Sequence, residues 1–201
     1  MASLILRFHD VTGGSIALNG TDIRQMTQQY LRAHLGYVQQ KAWLFSGTIA
    51  DNLRYSRKDA TEAELMHAAD VAQAGDFIRS LPDGLNSHVA QGGTNFSGGQ
   101  KQRLSIARAL VKKPELYIFD DSFSALDFKT DAALRHALAA ETKDAAVLII
   151  AQRVSSIRHA DQIVVLHEGR MAGIGTHEEL LATCKVYQEI YESQTKEAQE
   201  A

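Results

Sequence analysis

The chain has 201 residues, 45% of them hydrophobic and 22% charged, which is enough for one globular domain with a sizeable core. Its net charge of −3 argues against a nucleic-acid-binding surface, which is normally basic. The single cysteine, Cys184, excludes an internal disulfide framework and favours a reducing compartment. The longest apolar run, residues 145–151, is far shorter than the roughly 20 residues of a membrane-spanning helix. We therefore expect a cytosolic chain that reaches a membrane only through a partner.

The first half of the chain combines short strands with a long helical segment. It opens with the end of a helix and two strands, at residues 3–9, 15–18 and 35–38. From residue 47 to about residue 112 the apolar residues recur mostly at helical spacing. Four glycines within residues 91–99 predict a loop inside this segment.

The second half alternates helices and strands. A helix over residues 99–113 carries an apolar stripe, and Pro114 ends it. The elements after it are a strand at 116–119, a helix at 127–142, strands at 147–150 and 163–166, a short strand near Met171, a helix at 178–191 and a frayed polar tail at 193–201. This alternation predicts an α/β fold with a parallel sheet and a terminal hairpin.

A glycine-rich turn precedes the helix at 99–113. Gly98 and Gly99 have no side chains, so their N–H groups can approach an anion closely, and Ser97 adds a hydroxyl donor. The helix adds the positive end of its dipole. These features predict a phosphate-binding turn, and the alternative is a turn that merely caps the helix.

Two acids, Asp120 and Asp121, directly follow the apolar strand at 116–119. Ligands of parallel α/β sheets bind at the carboxyl ends of the strands, where a carboxylate can organise Mg²⁺ through water. The alternative is a solvated strand end without a ligand.

Together these two motifs resemble those of a known family. The stretch from Ser97 to Gln100 is similar to the signature motif of an ATP-binding cassette (ABC) ATPase, and Asp120, twenty residues after Gln100, ends a strand that resembles Walker B. The resemblance covers nearly the whole chain and is closest to the exporter type. It implies a P-loop NTPase-like ABC ATPase core, incomplete at its N-terminus, with an inserted α-helical subdomain, and it implies ATP and Mg²⁺ as cofactors.

The same resemblance divides the chain into four parts. We expect a core fragment with the Q-loop at residues 1–47 and a helical subdomain that ends in the signature helix at residues 48–113. The core with Walker B and the switch region is expected at residues 114–182, and the C-terminal helix with its tail at residues 183–201.

Roles for individual residues also follow from the resemblance. Asp120 and Gln40 are expected to address Mg²⁺, with Gln39 as the alternative to Gln40. Asp121 and Gln152 occupy the catalytic positions. The signature residues Ser97, Gly98, Gly99 and Gln100, together with Asp127 of the D-loop, are expected to contact nucleotide across a dimer interface. A helix N-cap at Ser124 is the structural alternative for the D-loop.

Two of these positions depart from the family pattern. The family normally has Glu at Asp121, and one methylene less withdraws the carboxylate by roughly 1.5 Å. The family normally has His at Gln152, and a neutral amide cannot carry a proton as imidazole does. Two departures in one hydrolytic site resemble the weak half-site of a heterodimeric exporter, and the alternative is an unusual but active site.

The family's phosphate-binding loop, G-x-x-x-x-G-K-[ST], does not occur in the sequence. Residues 4–8 resemble the end of the helix that follows that loop, so the resemblance implies that the loop lies before Met1 and that this chain binds ATP weakly by itself.

The expected partners are a second ABC nucleotide-binding domain, head-to-tail and different in sequence, and the coupling helices of a transmembrane domain, but no nucleic acid. The expected location is the cytoplasmic face of the membrane. The rival hypotheses are a non-hydrolysing module that completes a partner's site, a soluble ABC protein of repair or translation, and a non-functional remnant.

Overall fold

The computed structural model describes the backbone of residues 1–200, whereas the side chains of residues 128 and 196–200 lie outside the description. The chain divides into two compact units, residues 1–150 and residues 151–201, which are described separately. Residue 201, part of the predicted frayed tail, lies outside the described residues.

The first unit contains seven α-helices and seven strands among its described residues. In chain order they are α1 (Ala2–Ile5), β1 (Ala17–Leu18), β2 (Thr21–Asp22), α2 (Gln28–Ala33), β3 (Leu35–Val38), β4 (Gly47–Thr48), α3 (Ile49–Leu53), α4 (Glu62–Val71), α5 (Gly75–Ser80), β5 (His88–Val89), α6 (Gly98–Lys112), β6 (Leu116–Asp120), α7 (Phe128–Glu141) and β7 (Ala146–Ile150).

A three-stranded parallel sheet, in the order β3–β6–β7, forms the centre of this unit. Successive side chains of a strand face opposite sides. On β6, Ile118 packs with Leu31 and Leu35 on one side, whereas Tyr117 and Phe119 pack into the larger core on the other. Both faces of the central strand are therefore buried, as expected for a parallel sheet. The predicted α/β fold class is confirmed.

Helix α6 packs against the sheet with an apolar face that includes Leu104, Ala107 and Leu110, all nearly inaccessible to solvent. Its bounds differ by one residue at each end from the prediction. Lys113, just beyond its end, adopts a left-handed conformation, and Pro114 follows.

The predicted helical region is interrupted by a short antiparallel pair of strands that the sequence does not reveal. Strands β4 and β5 pair antiparallel across 40 residues of chain, Gly47 with Val89 and Thr48 with His88. Two-residue strands are too short to produce a period-2 pattern. At the N-terminus the predicted helix over residues 3–9 ends earlier, at Ile5, because Arg7 adopts a left-handed conformation with φ of 51°.

The second unit is a β-hairpin with two helices: β8 (Ile163–His167), β9 (Arg170–Gly175), α8 (His177–Thr183) and α9 (Lys185–Glu200). Ile163 and Val165 pack with Leu180 and Tyr187 in its core. The prediction of a single helix over residues 178–191 is wrong, because the helix is interrupted at Cys184, whose backbone is extended. The frayed tail is also wrong for residues 193–200, whose backbone continues α9.

Candidate functional site

The carboxyl ends of β3 and β6 bring three of the predicted residues together. Asp120 is the last residue of β6, and Gln40 lies two residues after the end of β3. The Gln40 amide donates a hydrogen bond from Nε2 to Oδ2 of Asp121 at 3.0 Å. Because β3 and β6 are parallel neighbours, the two motifs meet at one edge of the sheet, although 80 residues separate them in sequence.

A fourth side chain, which sequence reasoning missed, belongs to this cluster. The hydroxyl of Tyr37 on β3 donates a hydrogen bond to Oδ2 of Asp120 at 3.0 Å. Burial, and then the hydrogen bond to Asp120, raise the pKa of Tyr37 to about 12. Tyr37 is in register with Ile118, two residues before Asp120, and therefore shares a face with the acid. The strand pairing would have revealed this contact, but the sequence alone does not give the pairing.

The backbone at Asp121 is unusual. Its φ is 46°, in the left-handed region that Asp tolerates better than most residues other than glycine. Its N–H donates to the carbonyl oxygen of Ile150 at 2.7 Å. Next to it, the hydroxyl of Ser122 donates to the carbonyl oxygen of Val38 at 2.9 Å. The acidic pair is thus tied to the strand on either side of β6.

The two candidate glutamines have different contacts. The side chain of Gln40 reaches Asp121, whereas the main-chain carbonyl of Gln39 accepts a hydrogen bond from the buried side chain of Gln102 at 3.2 Å. Gln102 belongs to α6, so the signature helix also contacts the segment after β3.

The turn from Ser97 to Gln100, called the signature turn below, caps α6 with a reciprocal pair of hydrogen bonds. Ser97 is the N-cap: its Oγ accepts a hydrogen bond from the N–H of Gln100, and the Gln100 side chain accepts one from the N–H of Ser97. Ser97 and Gly98 are exposed, and a Cβ placed on Gly98 would meet nothing within 4 Å. The turn is therefore open to a large ligand on its outer side.

The D-loop residues lie beside this turn. A Cβ placed on Gly99 would lie 3.5 Å from the carbonyl oxygen of Ala125. Asp127, not Ser124, is the N-cap of α7: its carboxylate accepts hydrogen bonds from the N–H and the hydroxyl of Thr130. The alternative of a cap at Ser124 is wrong, because the hydroxyl of Ser124 donates to the carbonyl oxygen of Asp121 instead. The hydrogen bonds from Thr130 lower the pKa of Asp127.

Gln152 belongs to the second unit. Its side chain is exposed, and its main-chain carbonyl accepts a hydrogen bond from Nε2 of Gln194 at 2.7 Å.

Among the described residues, no helix is both long enough and apolar enough to cross a bilayer.

Comparisons with known proteins define the class and then the family. The chain is similar to a solved bacterial Atm1-family ABC exporter with ATP bound, with a TM-score of 0.93 and 41% identity, over 96% of this chain and 34% of that one. This match assigns the P-loop NTPase fold. The model of the ABC transporter family matches residues 1–124, and the chain therefore belongs to that family.

Relatives of known sequence agree. An ABC transporter ATP-binding protein of Mycobacterium tuberculosis is 46% identical over 98% of this chain and 34% of its own length. A multidrug export ATP-binding/permease protein of Staphylococcus aureus, so named as putative, is 43% identical over 96% of this chain and 34% of its own length. The chain thus spans about a third of the length of these relatives.

Proposed function

We propose that this chain is the ATP-binding module of an ABC exporter and that it works against a second, different ABC ATP-binding domain. The observation that carries the proposal is the meeting of Asp120, Asp121 and Gln40 at the ends of two neighbouring parallel strands. The exposed signature turn at the start of α6 provides the second half of the machinery.

The strand end suits a magnesium ion. Mg²⁺ in nucleotide sites is held by one or two carboxylates, with water and phosphate oxygens completing the shell. The Asp120 carboxylate accepts one hydrogen bond from Tyr37 and keeps further lone pairs for water. The amide oxygen of Gln40 is a second acceptor and is neutral. When bound, Mg²⁺ neutralises charge on the phosphates. Asp120 and Gln40 would orient its water shell.

The signature turn acts on nucleotide held by the partner. Ser97, Gly98 and Gly99 offer a hydroxyl and unobstructed backbone donors at a helix N-terminus, and Gln100 fixes the cap. The backbone carbonyl of Ala125 lies next to this turn, and Asp127 follows two residues later at the N-cap of α7, so we propose that both face the same partner. A head-to-tail pair would place each signature turn on the other domain's ATP.

The catalytic positions favour slow hydrolysis in this chain's own site. Asp121 has a shorter side chain than the family's usual Glu, and its carboxylate is engaged by Gln40. A displacement of about 1 Å can cost about 100-fold in rate. Gln152 has an amide in place of an imidazole. These features also support the second candidate, a module that completes the partner's site without hydrolysing ATP itself.

Coupling to a membrane-spanning partner would use the segment after β3. The rings of Phe45 and Tyr55 stack 4.6 Å apart, and both side chains are exposed, at 41% and 64%. Trp43 beside them is 49% exposed. Large exposed apolar groups in one place are typical of a protein contact. We propose that transmembrane coupling helices dock here, which would hold the chain at the cytoplasmic face of a membrane.

A trans-complementation assay tests the proposal. The chain is mixed with an ABC ATP-binding domain that carries an intact phosphate-binding loop, and ATP hydrolysis is measured. We expect stimulation that Gly98→Asp reduces at least about tenfold, because the new carboxylate would meet the phosphates. Gly13→Asp is the matched control, since a Cβ at Gly13 also meets nothing within 4 Å and it lies in an unrelated turn.

Equal stimulation by both variants would refute the clamp role of the signature turn. Stimulation that survives Asp121→Asn but not Gly98→Asp would favour the non-hydrolysing module over the hydrolysing one.

A further inference from the structure

The residues on either side of Arg153 are tied to the C-terminal helix by one side chain. Gln194 lies on α9, and its amide Nε2 donates a hydrogen bond to the carbonyl oxygen of Gln152 at 2.7 Å. Its amide Oε1 accepts a hydrogen bond from the N–H of Val154 at 2.9 Å. A main-chain carbonyl only accepts and a main-chain N–H only donates, so these two contacts also fix which way round the amide lies.

This pair of contacts has the pattern of strand pairing. Arg153 has an extended backbone, with φ of −91° and ψ of 123°. In a parallel ladder, a residue donates its N–H to the carbonyl before the opposite residue and accepts from the N–H after it. The side-chain amide of Gln194 makes the same two bonds around Arg153. It therefore holds this short stretch of backbone at two points, which a single hydrogen bond cannot do.

The turn that follows Gln152 lacks a side-chain cap of its own. Residues 154–156 form a 3₁₀ turn whose N-cap, Arg153, makes no side-chain capping hydrogen bond. The first N–H groups of a helical turn have no partner inside that turn. Gln194 supplies the partner for the first of them, on Val154, from a different element of the fold.

The packed face of α9 carries Gln194. Tyr187, Tyr191 and Gln194 follow one another at the i, i+4, i+7 spacing of one helix face. Tyr187 is buried in the same apolar cluster as Val154, and Tyr191 packs against that cluster. The hydroxyl of Tyr187 also lies 2.8 Å from Nδ1 of His177, at the start of α8. The position of Gln194 is thus set by the core of the second unit.

We infer that Gln194 is a positioning residue, which fixes the backbone of residues 152–154 and thereby the direction in which the Gln152 side chain projects. The Gln152 side chain is exposed, so its position depends on the backbone that carries it. The inference rests on the proposed function, in which Gln152 has a catalytic position, and it adds α9 as the element that controls this position. Because both bonds are made to main-chain atoms, they do not depend on the side chain at residue 152.

Amide hydrogen exchange, measured by NMR on the full chain, tests the two bonds. Gln194→Met keeps the length of the side chain and removes both of them. We expect the N–H of Val154 to exchange about tenfold faster in this variant, as the loss of a hydrogen bond implies. Gln188→Met is the matched control, because Gln188 is also half-buried on α9 but donates to the carbonyl oxygen of Leu181. The control should change the exchange of Val154 by less than about twofold, with thermal melting as the check on folding.

A second variant separates positioning from general packing. Gln194→Glu has nearly the same shape, and its ionised carboxylate can accept from Val154 but cannot donate to Gln152. The new carboxyl takes up a proton near about pH 4 and then regains a donor. We expect the carbonyl ¹³C resonance of Gln152 to move in this variant at neutral pH and to return as the pH falls. A role confined to packing would not produce this pH-dependent recovery.

The link to the proposed function is measured on the same samples. Millimolar MgATP is added to the full chain, and the side-chain amide resonances of Gln152 are followed. We expect MgATP to shift these resonances in the unmodified chain and in Gln188→Met. The shift should fall by at least about half in Gln194→Met, because a side chain without a fixed direction meets the phosphates less often.

The outcomes separate the inference from the proposed function. Equal exchange of Val154 in the unmodified chain and in Gln194→Met would overturn the inference, whatever MgATP does. An equally large effect of Gln188→Met would reduce Gln194 to a packing residue and overturn it as well. If Val154 depends on Gln194 but MgATP leaves Gln152 unshifted in the unmodified chain, the positioning of residues 152–154 is supported and the catalytic role of Gln152 is refuted.

Discussion

Replacement of Tyr37 by Phe removes one oxygen atom and the hydrogen bond to Asp120. The bond is 3.0 Å long, partly buried and made to a carboxylate. Hydrogen bonds to charged groups contribute about 1.5–3 kcal/mol, and partial solvent contact places this one at the low end. We expect Tyr37→Phe to lower the free energy of unfolding at neutral pH by about 1.5 kcal/mol.

The same substitution changes the pH dependence of stability. The pKa of Tyr37 is raised from 10.0 to about 12 in the folded state, chiefly by burial. The folded state thus holds the phenolic proton of Tyr37 more tightly than the unfolded state does. The contribution of this proton to the free energy of unfolding is complete below about pH 10 and is lost as the pH rises through about 12. At about 1.4 kcal/mol per pKa unit, the loss is at most about 3 kcal/mol. The stability curves of the two proteins should therefore cross between about pH 10 and about pH 12.

Urea unfolding at neutral pH and at intervals up to pH 12 measures this difference. Tyr30→Phe is the matched control, because Tyr30 is 56% exposed and its replacement should change stability by no more than about 0.5 kcal/mol. Parallel curves for Tyr37→Phe and the unmodified chain across the alkaline range would refute the raised pKa of Tyr37. The same effect of Tyr37→Phe in an Asp120→Asn background would refute the contact with Asp120.

Three further predictions concern the elements around the site. Ser97→Ala removes one half of the reciprocal cap with Gln100 and should lower stability by about 1 kcal/mol in thermal melting, whereas Ser97→Asp should not. Leu104→Ala empties a fully buried position of α6 and should cost about 3 kcal/mol in urea unfolding, and a loss below 1 kcal/mol would contradict its place in the core. Thr130 lowers the pKa of Asp127, so the ionised carboxylate stabilises the fold above its unfolded pKa and loses that effect as the pH falls. The difference in free energy of unfolding between the unmodified chain and Asp127→Asn should therefore narrow in acid. Parallel curves of stability against pH for the two proteins would refute the cap.

Local signals in the sequence were sufficient to predict most of the sheet and the long helices. The strand β3 has the predicted bounds, and α6 differs by one residue at each end, because a capping serine and a following Pro114 mark its limits. The break at Cys184 was not predictable, since the apolar spacing continues through it and only the extended backbone of that residue ends α8. Pairing between distant two-residue strands such as β4 and β5 also leaves no local pattern.

The residues of the candidate site were accessible to sequence reasoning only where a motif marked them. Asp120, Gln40 and the signature turn follow from their motifs. The contact of Tyr37 with Asp120 depends on which strands lie side by side, which is a property of long-range packing. A tyrosine in an apolar strand otherwise has an ordinary structural explanation.

Contacts within the protein hold both residues of the acidic pair. Asp120 is held by Tyr37, Asp121 by Gln40 and by the carbonyl of Ile150, and these contacts join all three strands of the parallel sheet. Side chains held by such hydrogen bonds keep a defined geometry. The left-handed backbone at Asp121 adds a reason for Asp in place of Glu, because Asp tolerates that conformation better than longer side chains do. The shorter side chain therefore relieves backbone strain, and under the proposed function it would also shorten the reach of the carboxylate toward an attacking water.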